Sequence, residues 1–122
     1  MKVFVAIFLV ILSASASASS NFNGNDMLEG CKKVTELPHE AGNLDFGSGL
    51  CVGVISGVIH ASEFAGFEHG TKLFCMPDGV SILQIARIMH KYLSETPEVL
   101  HVTAGTLTAF ALSNKYPCKS TG

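Results

Sequence analysis

The chain has 122 residues, of which 48% are apolar and 15% are charged. This composition excludes a disordered chain, which would be polar and strongly charged, and the length suits one domain. The formal net charge of −2 excludes the basic surface that nucleic-acid binding requires, so we expect no nucleic-acid partner.

The first 18 residues have the pattern of a secretory signal peptide. Lys2 precedes an uninterrupted apolar run over residues 3–12, which is about half the length that a membrane-spanning helix needs. Small residues follow, and Ala16-Ser17-Ala18 fits the small-x-small cleavage rule. We therefore predict export, cleavage after Ala18, a mobile lead-in over residues 19–25, and no membrane contact once the leader is removed.

The next segments predict two helices joined by a loop. The first helix is expected from Asp26 to about Val34 with Asn25 as its N-cap, and Thr35–Asn43 is expected to be a loop because it contains proline and glycine. Phe46–Phe64 fits a strand by strict alternation and a helix by its apolar stripe, and its length favours the helix. Glycines recur in it every four residues and would be tolerated if another helix approached closely on that side: Gly49, Gly53 and Gly57.

The C-terminal half predicts a loop followed by an antiparallel helical hairpin. Ala65–Val80 is rich in glycine and is expected to be the loop. Ser81–Glu95 begins with the capping-box pattern S-x-x-Q and continues with an apolar face of helical spacing. Pro97–Asn114 begins with Thr96 as N-cap and proline at its first position. Only a very short turn separates the two predicted helices.

Four cysteines predict two disulfide bonds. An even number in a small exported domain is typical of a disulfide framework, whereas zinc is disfavoured because no two cysteines lie two to four residues apart. Three pairings are possible. The hairpin brings Cys75, before its first helix, close to Cys118, after its second, and this favours Cys75–Cys118 and leaves Cys31–Cys51 by elimination.

Several ordered motifs together resemble the Rap/Tai immunity-protein family. They are Phe74-Cys75-Met76-Pro77-Asp78-Gly79-Val80-Ser81, Lys91-Tyr92-Leu93, Pro97-Glu98-Val99-Leu100-His101 and Tyr116-Pro117-Cys118, with Cys51-Val52-Gly53-Val54-Ile55-Ser56-Gly57 resembling the cysteine-glycine helix of that family. The resembling domain spans residues 26–118 and leaves a short tail, 119–122. The resemblance implies an all-α periplasmic domain of about four helices with two disulfides, often dimeric. Characterised members of the family neutralise peptidoglycan amidases that neighbouring cells deliver by type VI secretion.

Catalytic and metal-binding motifs are not evident. The five histidines have no H-E-x-x-H or H-x-H spacing, and no G-x-S-x-G or P-loop sequence occurs. We therefore expect no enzyme activity, no metal site and no cofactor.

The expected function is steric inhibition of a peptidoglycan amidase effector by a rigid, homodimeric binding protein. Four residues that flank or lie in the predicted Ala65–Val80 loop are expected to face the partner. Three of them, Glu63, Glu68 and Asp78, are acidic and would complement a basic rim on the partner. The fourth, Phe67, would be an anchor. The alternative interpretation of these residues is an ordinary soluble surface. The alternative function is a periplasmic stress or chaperone-like protein without a cognate toxin, in which the five histidines would add positive charge below about pH 6.5.

Overall fold

The computed structural model describes residues 21–36 and 45–119, which form four α-helices packed around one core. They are α1 (Gly24–Glu36), α2 (Phe46–His69), α3 (Ile82–Glu95) and α4 (Ala104–Lys115), with a short 3-10 helix over Pro97–Val99. This architecture confirms the predicted all-α class. The predicted leader and cleavage position, most of the loop after α1 and the last three residues of the tail lie outside the described residues.

Helix α1 begins earlier than predicted because Asn23, not Asn25, is its N-cap. The Asn23 side chain accepts hydrogen bonds from the backbone N–H groups of Asn25 (2.9 Å) and Asp26 (3.4 Å). The Asp26 carboxylate in turn accepts the backbone N–H of Asn23 at 3.0 Å. This is the reciprocal arrangement of a capping box. The helix therefore starts at Gly24 and continues to Glu36.

The segment before α1 is attached to the start of α4. The backbone N–H of Gly24 donates to the Val102 carbonyl at 3.0 Å, and that of Ala104 donates to the Phe22 carbonyl at 2.8 Å. These two bonds lie within the segment 19–25 for which the sequence predicts a mobile lead-in, and that mobility stays a prediction. The same bonds explain why the last predicted helix does not run continuously from Pro97: near Val102 the backbone pairs with the N-terminal segment, and the regular α-helix begins only at Ala104.

Helix α2 is confirmed as a helix but is longer than predicted. Asp45 is its N-cap and accepts the backbone N–H of Ser48 at 2.8 Å. The helix ends at Gly70, which has φ of 70° and donates its N–H to the Gly66 carbonyl at 3.0 Å. The prediction that the loop starts at Ala65 is wrong because Gly66 is accommodated inside the helix, whereas Gly70 adopts the left-handed conformation that terminates it.

The core lies where α1 contacts α2 and α3, the helices with which it makes its most extensive contacts. Its buried apolar side chains come from all four helices and from Phe74: Met27, Val34, Ile55, Ile85, Met89, Leu93, Leu107 and Leu112 are examples. Helices α3 and α4 share a smaller contact with each other than either shares with α1 or α2. Helices α3 and α4 therefore pack mainly against α1 and α2 rather than against each other.

Much of α2 lies outside this core. Among the described helices it is long and apolar enough, by length and composition alone, to cross a membrane, with a mean hydropathy of 1.5 over its most apolar window. Only 17% of that window is buried within the chain. Several of its apolar side chains are partly covered by the core, whereas the aromatic side chains of Phe46, Phe64 and Phe67 are exposed.

Candidate binding surface

Both predicted disulfides are present, one between two helices and one between the segments that flank the C-terminal pair of helices. Cys31–Cys51 joins α1 to α2, with an S–S distance of 2.06 Å, and both residues are fully buried. Cys75–Cys118 joins the loop before α3 to the chain after α4, with an S–S distance of 1.99 Å, and both residues are exposed. The backbone N–H of Cys75 also donates to the Tyr116 carbonyl at 2.8 Å, so the two segments are held together by backbone as well as by sulfur.

The chain after α2 turns back and is attached to two helices. The buried Ser62 hydroxyl on α2 accepts the backbone N–H of Leu73 at 3.0 Å, and Ser113 on α4 donates its hydroxyl to the Leu73 carbonyl at 3.0 Å. Phe74 then enters the core. These contacts hold the beginning of the loop in one position and so define the surface at the C-terminal end of α2.

The residues expected to face a partner have different environments. Phe67 and Glu68 lie in the last turn of α2, where Phe67 is 85% exposed. Glu63 lies one turn earlier and forms an ion pair with Lys72, with 2.8 Å between Oε2 and Nζ. Asp78 is exposed in a turn completed by Gly79, whose φ is 85°. Phe67 and Glu68 are therefore neighbours on one helix end, Glu63 already has a cationic partner, and Asp78 belongs to a separate turn.

A small cluster of charges lies at the other end of α2. Lys33 on α1 bridges Glu29 at 3.3 Å and the α2 cap Asp45 at 3.1 Å. The backbone N–H of Ser48, followed by the Lys33 ammonium, lowers the pKa of the Asp45 carboxyl from its ordinary value. Hydrogen bonds to Asp45 and then to Glu29 raise the pKa of Lys33. All three side chains are substantially exposed, so the cluster stabilises the α1–α2 junction only modestly.

Sequence reasoning did not anticipate an exposed stripe along the whole length of α2. We call it the glycine stripe, and every one of its six residues is exposed: Phe46, Gly49, Gly53, Gly57, Ala61 and Phe64. No described atom lies within 4 Å of a Cβ built on any of the three glycines. The close helix that would account for these glycines is therefore not among the described residues. Their four-residue spacing was the available sequence signal, but their exposure depends on the tertiary fold.

The described residues contain no group of three or more His, Cys, Asp or Glu side chains that could hold a metal ion. The buried polar side chains of the described residues have hydrogen-bond partners within the chain. Thr108, for example, donates to the Ala104 carbonyl at 2.8 Å. The chemically distinctive features of the described surface are thus exposed aromatic and acidic side chains on a disulfide-linked frame.

These features define a small, disulfide-bonded all-α domain with an accessible surface suited to binding. The family model of the Rap1a immunity proteins matches residues 23–118, and the chain belongs to this family. No curated protein and no solved structure matches it. Membership indicates an immunity function that works through binding of a cognate effector, in a family that is generally non-enzymatic. The two disulfides fit an oxidising compartment.

Proposed function

We propose that this protein is a periplasmic immunity protein that binds a peptidoglycan amidase effector and obstructs its active-site cleft. Membership in the Rap1a immunity family is the observation that carries this proposal. The mechanism is steric, and it requires neither a cofactor nor a chemical step by the immunity protein. Export through the predicted leader would place the protein in the compartment where an incoming amidase meets the cell wall.

The end of α2 is the surface that we propose enters or covers the cleft. Phe67 is almost fully exposed, so burial against a partner would remove a large apolar area from water, and aromatic residues are enriched among those that dominate binding energy. Glu68 on the same turn supplies negative charge, and Asp78 supplies it on a separate turn that we propose also faces the partner. Acidic groups of this kind accelerate encounter with a basic rim and restrict the choice of partner.

Rigidity of this surface supports the proposal. The loop after α2 is held by the Ser62 and Ser113 hydrogen bonds to Leu73 and by the Cys75–Cys118 bond. A surface that is already ordered loses little conformational entropy on binding. We also propose that the protein is a homodimer, as the family resemblance implies.

Binding of purified variants to a panel of type VI amidase effectors tests this proposal. We expect one effector to bind tightly, Phe67→Ala to raise its Kd at least ~10-fold, and Glu68→Lys to slow association. Phe110→Ala and Glu95→Lys are the matched controls, because Phe110 is exposed on α4 and Glu95 on α3. Failure of every amidase to bind contradicts the proposed function, and equal effects of Phe67→Ala and Phe110→Ala contradict the proposed surface.

A further inference from the structure

We infer that Lys72 is a positioning residue of the proposed effector surface. Its side chain crosses the backbone of α2 at Gly66 and forms an ion pair with Glu63. This bridge holds the turn of α2 that carries Phe67 and Glu68. The inference rests on the function proposed above, and it gives Glu63 an indirect role, as the counter-ion of Lys72 rather than as a charge that meets the effector.

Two contacts return from the chain after α2 to the helix. Lys72 reaches Glu63 with 2.8 Å between Nζ and Oε2 and 3.0 Å between Nζ and Oε1. The next residue, Leu73, donates its backbone N–H to the buried Ser62 hydroxyl at 3.0 Å. The end of α2 lies within residues 64–71, between these attachments. It is therefore held from both sides, whereas helix ends commonly fray.

Gly66 provides the room for the Lys72 side chain. A Cβ built on Gly66 would lie 2.5 Å from Cγ of Lys72, 3.2 Å from Cε and 3.4 Å from Cδ, so the lysine stem lies directly on the helix backbone. Gly66 has no positive φ, and glycine inside a helix weakens it relative to alanine. The close approach of Lys72 supplies the reason for a glycine here. Aliphatic stems pack in this way while the charged head stays in water.

The bridge acts on the helical face that carries Phe67. Glu63 and Phe67 are four residues apart, so their side chains are neighbours on one face of α2. Phe67 is 85% exposed, so Lys72 leaves its ring largely uncovered. The bridge instead fixes the backbone from which the Phe67 ring and the Glu68 carboxylate project. Residues on an ordered turn lose less conformational entropy when they bind a partner.

The exposure of the ion pair separates positioning from stabilisation. The Lys72 and Glu63 side chains are 42% and 58% exposed, and a pair of this kind contributes little to overall stability. It can still restrict local opening of a helix end, which requires far less free energy than global unfolding. We therefore expect loss of the pair to increase the motion of this turn and to leave the Tm almost unchanged.

The motion of a single indole tests the inference in the mature protein. The chain contains no tryptophan, so Phe67→Trp places one fluorescent probe on the turn, and its anisotropy decay measures local motion. Glu63→Gln combined with Lys72→Met removes the bridge and keeps the net charge. We expect it to increase the mobile population about 2–5-fold, the factor that an exposed ion pair contributes to an equilibrium. Unchanged motion overturns the inference.

A matched control comes from the other end of α2. Lys33 and Glu29 also form an exposed ion pair, and Glu29→Gln combined with Lys33→Met likewise keeps the net charge. This variant should leave the indole at position 67 unaffected. An equal increase in motion in the control shows a general loosening of the helix and overturns the role of Lys72.

Gly66→Ala gives opposite expectations for two explanations. Alanine favours the helix, so an end that is limited by helix propensity becomes less mobile. The added methyl group also displaces the Lys72 stem, so the bridge predicts a more mobile indole. A less mobile indole in Gly66→Ala overturns the inference.

Exchange of the two charges tests the pair itself. Glu63→Lys combined with Lys72→Glu should restore the motion of the wild type, whereas either substitution alone should increase it. Failure of the exchanged pair to restore the motion overturns the inference.

Binding to an amidase effector separates this inference from the proposed function. With native Phe67, the variant without the bridge should bind about 2–5-fold more weakly at an unchanged Tm. An amidase that binds this variant and the wild type equally tightly overturns the inference and leaves the function standing. If no amidase binds while loss of the bridge still frees the indole, the function fails and the holding of this turn by Lys72 stands.

Discussion

Gly30 on α1 and Gly53 on α2 have opposite surroundings: a side chain at Gly30 would collide with a neighbouring helix, and one at Gly53 would not. Gly30 lies on α1 beside the Cys31–Cys51 bond, and a Cβ on it would collide with the backbone carbonyl oxygen of Gly47 on α2. The close approach of α1 and α2 therefore depends on the missing side chain at Gly30. Gly53, on the outer side of α2, contacts no described atom in this way.

We predict that Gly30→Ala lowers the free energy of unfolding by about 1–3 kcal/mol, because the added methyl group must push α1 away from α2 in a closely packed region. Gly105→Ala is the control, since a Cβ at Gly105 meets nothing within 4 Å and alanine favours the helix. Urea denaturation measures both. A Gly30→Ala protein as stable as the wild type would show that the α1–α2 contact tolerates a side chain at position 30.

The lowered pKa of Asp45 makes its contribution to stability depend on pH. The unfolded carboxyl titrates near its ordinary value of 3.8, and the folded one titrates below it, chiefly because of the Ser48 N–H and then because of Lys33. The stabilisation is therefore present above the unfolded pKa and is lost as the pH falls through the folded pKa.

We predict that Asp45→Ala lowers the Tm at neutral pH and that its difference from the wild type shrinks as the solution is acidified below pH 3.8. Thermal unfolding followed by circular dichroism over this range measures the effect, with Glu95→Ala as the control. A difference that stays constant into strong acid would contradict the role of the ionised carboxylate.

At the scale of whole elements, the two disulfides differ in accessibility. Both sulfurs of Cys31–Cys51 lie in the core, whereas Cys75 and Cys118 are exposed at the surface. The bonds close loops of 20 and 43 residues, and chain-entropy estimates give each a contribution of roughly 3–4 kcal/mol.

We predict that mild reduction opens Cys75–Cys118 before Cys31–Cys51, because a thiol reductant must reach the sulfur that it attacks. Alkylation followed by peptide mass analysis identifies the order, and the buried pair is the internal control. Labelling of Cys31 and Cys51 first would contradict the arrangement of the core.

The helices that could be predicted most closely are those with local signals. Ser81 caps α3 through the Gln84 N–H at 3.1 Å, as the S-x-x-Q pattern predicts, and α3 ends at the predicted residue, Glu95. The start of α4 could not be predicted this way, because it depends on the hydrogen bond that the Ala104 N–H donates to the Phe22 carbonyl, and these residues are distant in sequence. The predicted end of α2 is too early because Gly66 and Gly70 are both residues that can terminate a helix, and the sequence does not show which of them does.

At the scale of the whole molecule, sequence reasoning identified exposed candidate residues but not their grouping. The extension of α2 to His69 places Phe67 and Glu68 together on one helix end, whereas Asp78 lies in a separate turn. The spacing of the glycine stripe can be read from the sequence. Its exposure cannot, because which side of α2 is covered depends on where α1 and α4 pack.

The most direct test of the account is a titration of a cognate amidase with this protein, followed by hydrolysis of peptidoglycan. If the protein acts by occupying the cleft, activity should fall linearly to an end point at one chain per amidase, without delay, and active amidase should be recovered when the complex is separated. Progressive inactivation by substoichiometric amounts would indicate a catalytic mode of action, and full activity at an excess of the protein would contradict inhibition by binding.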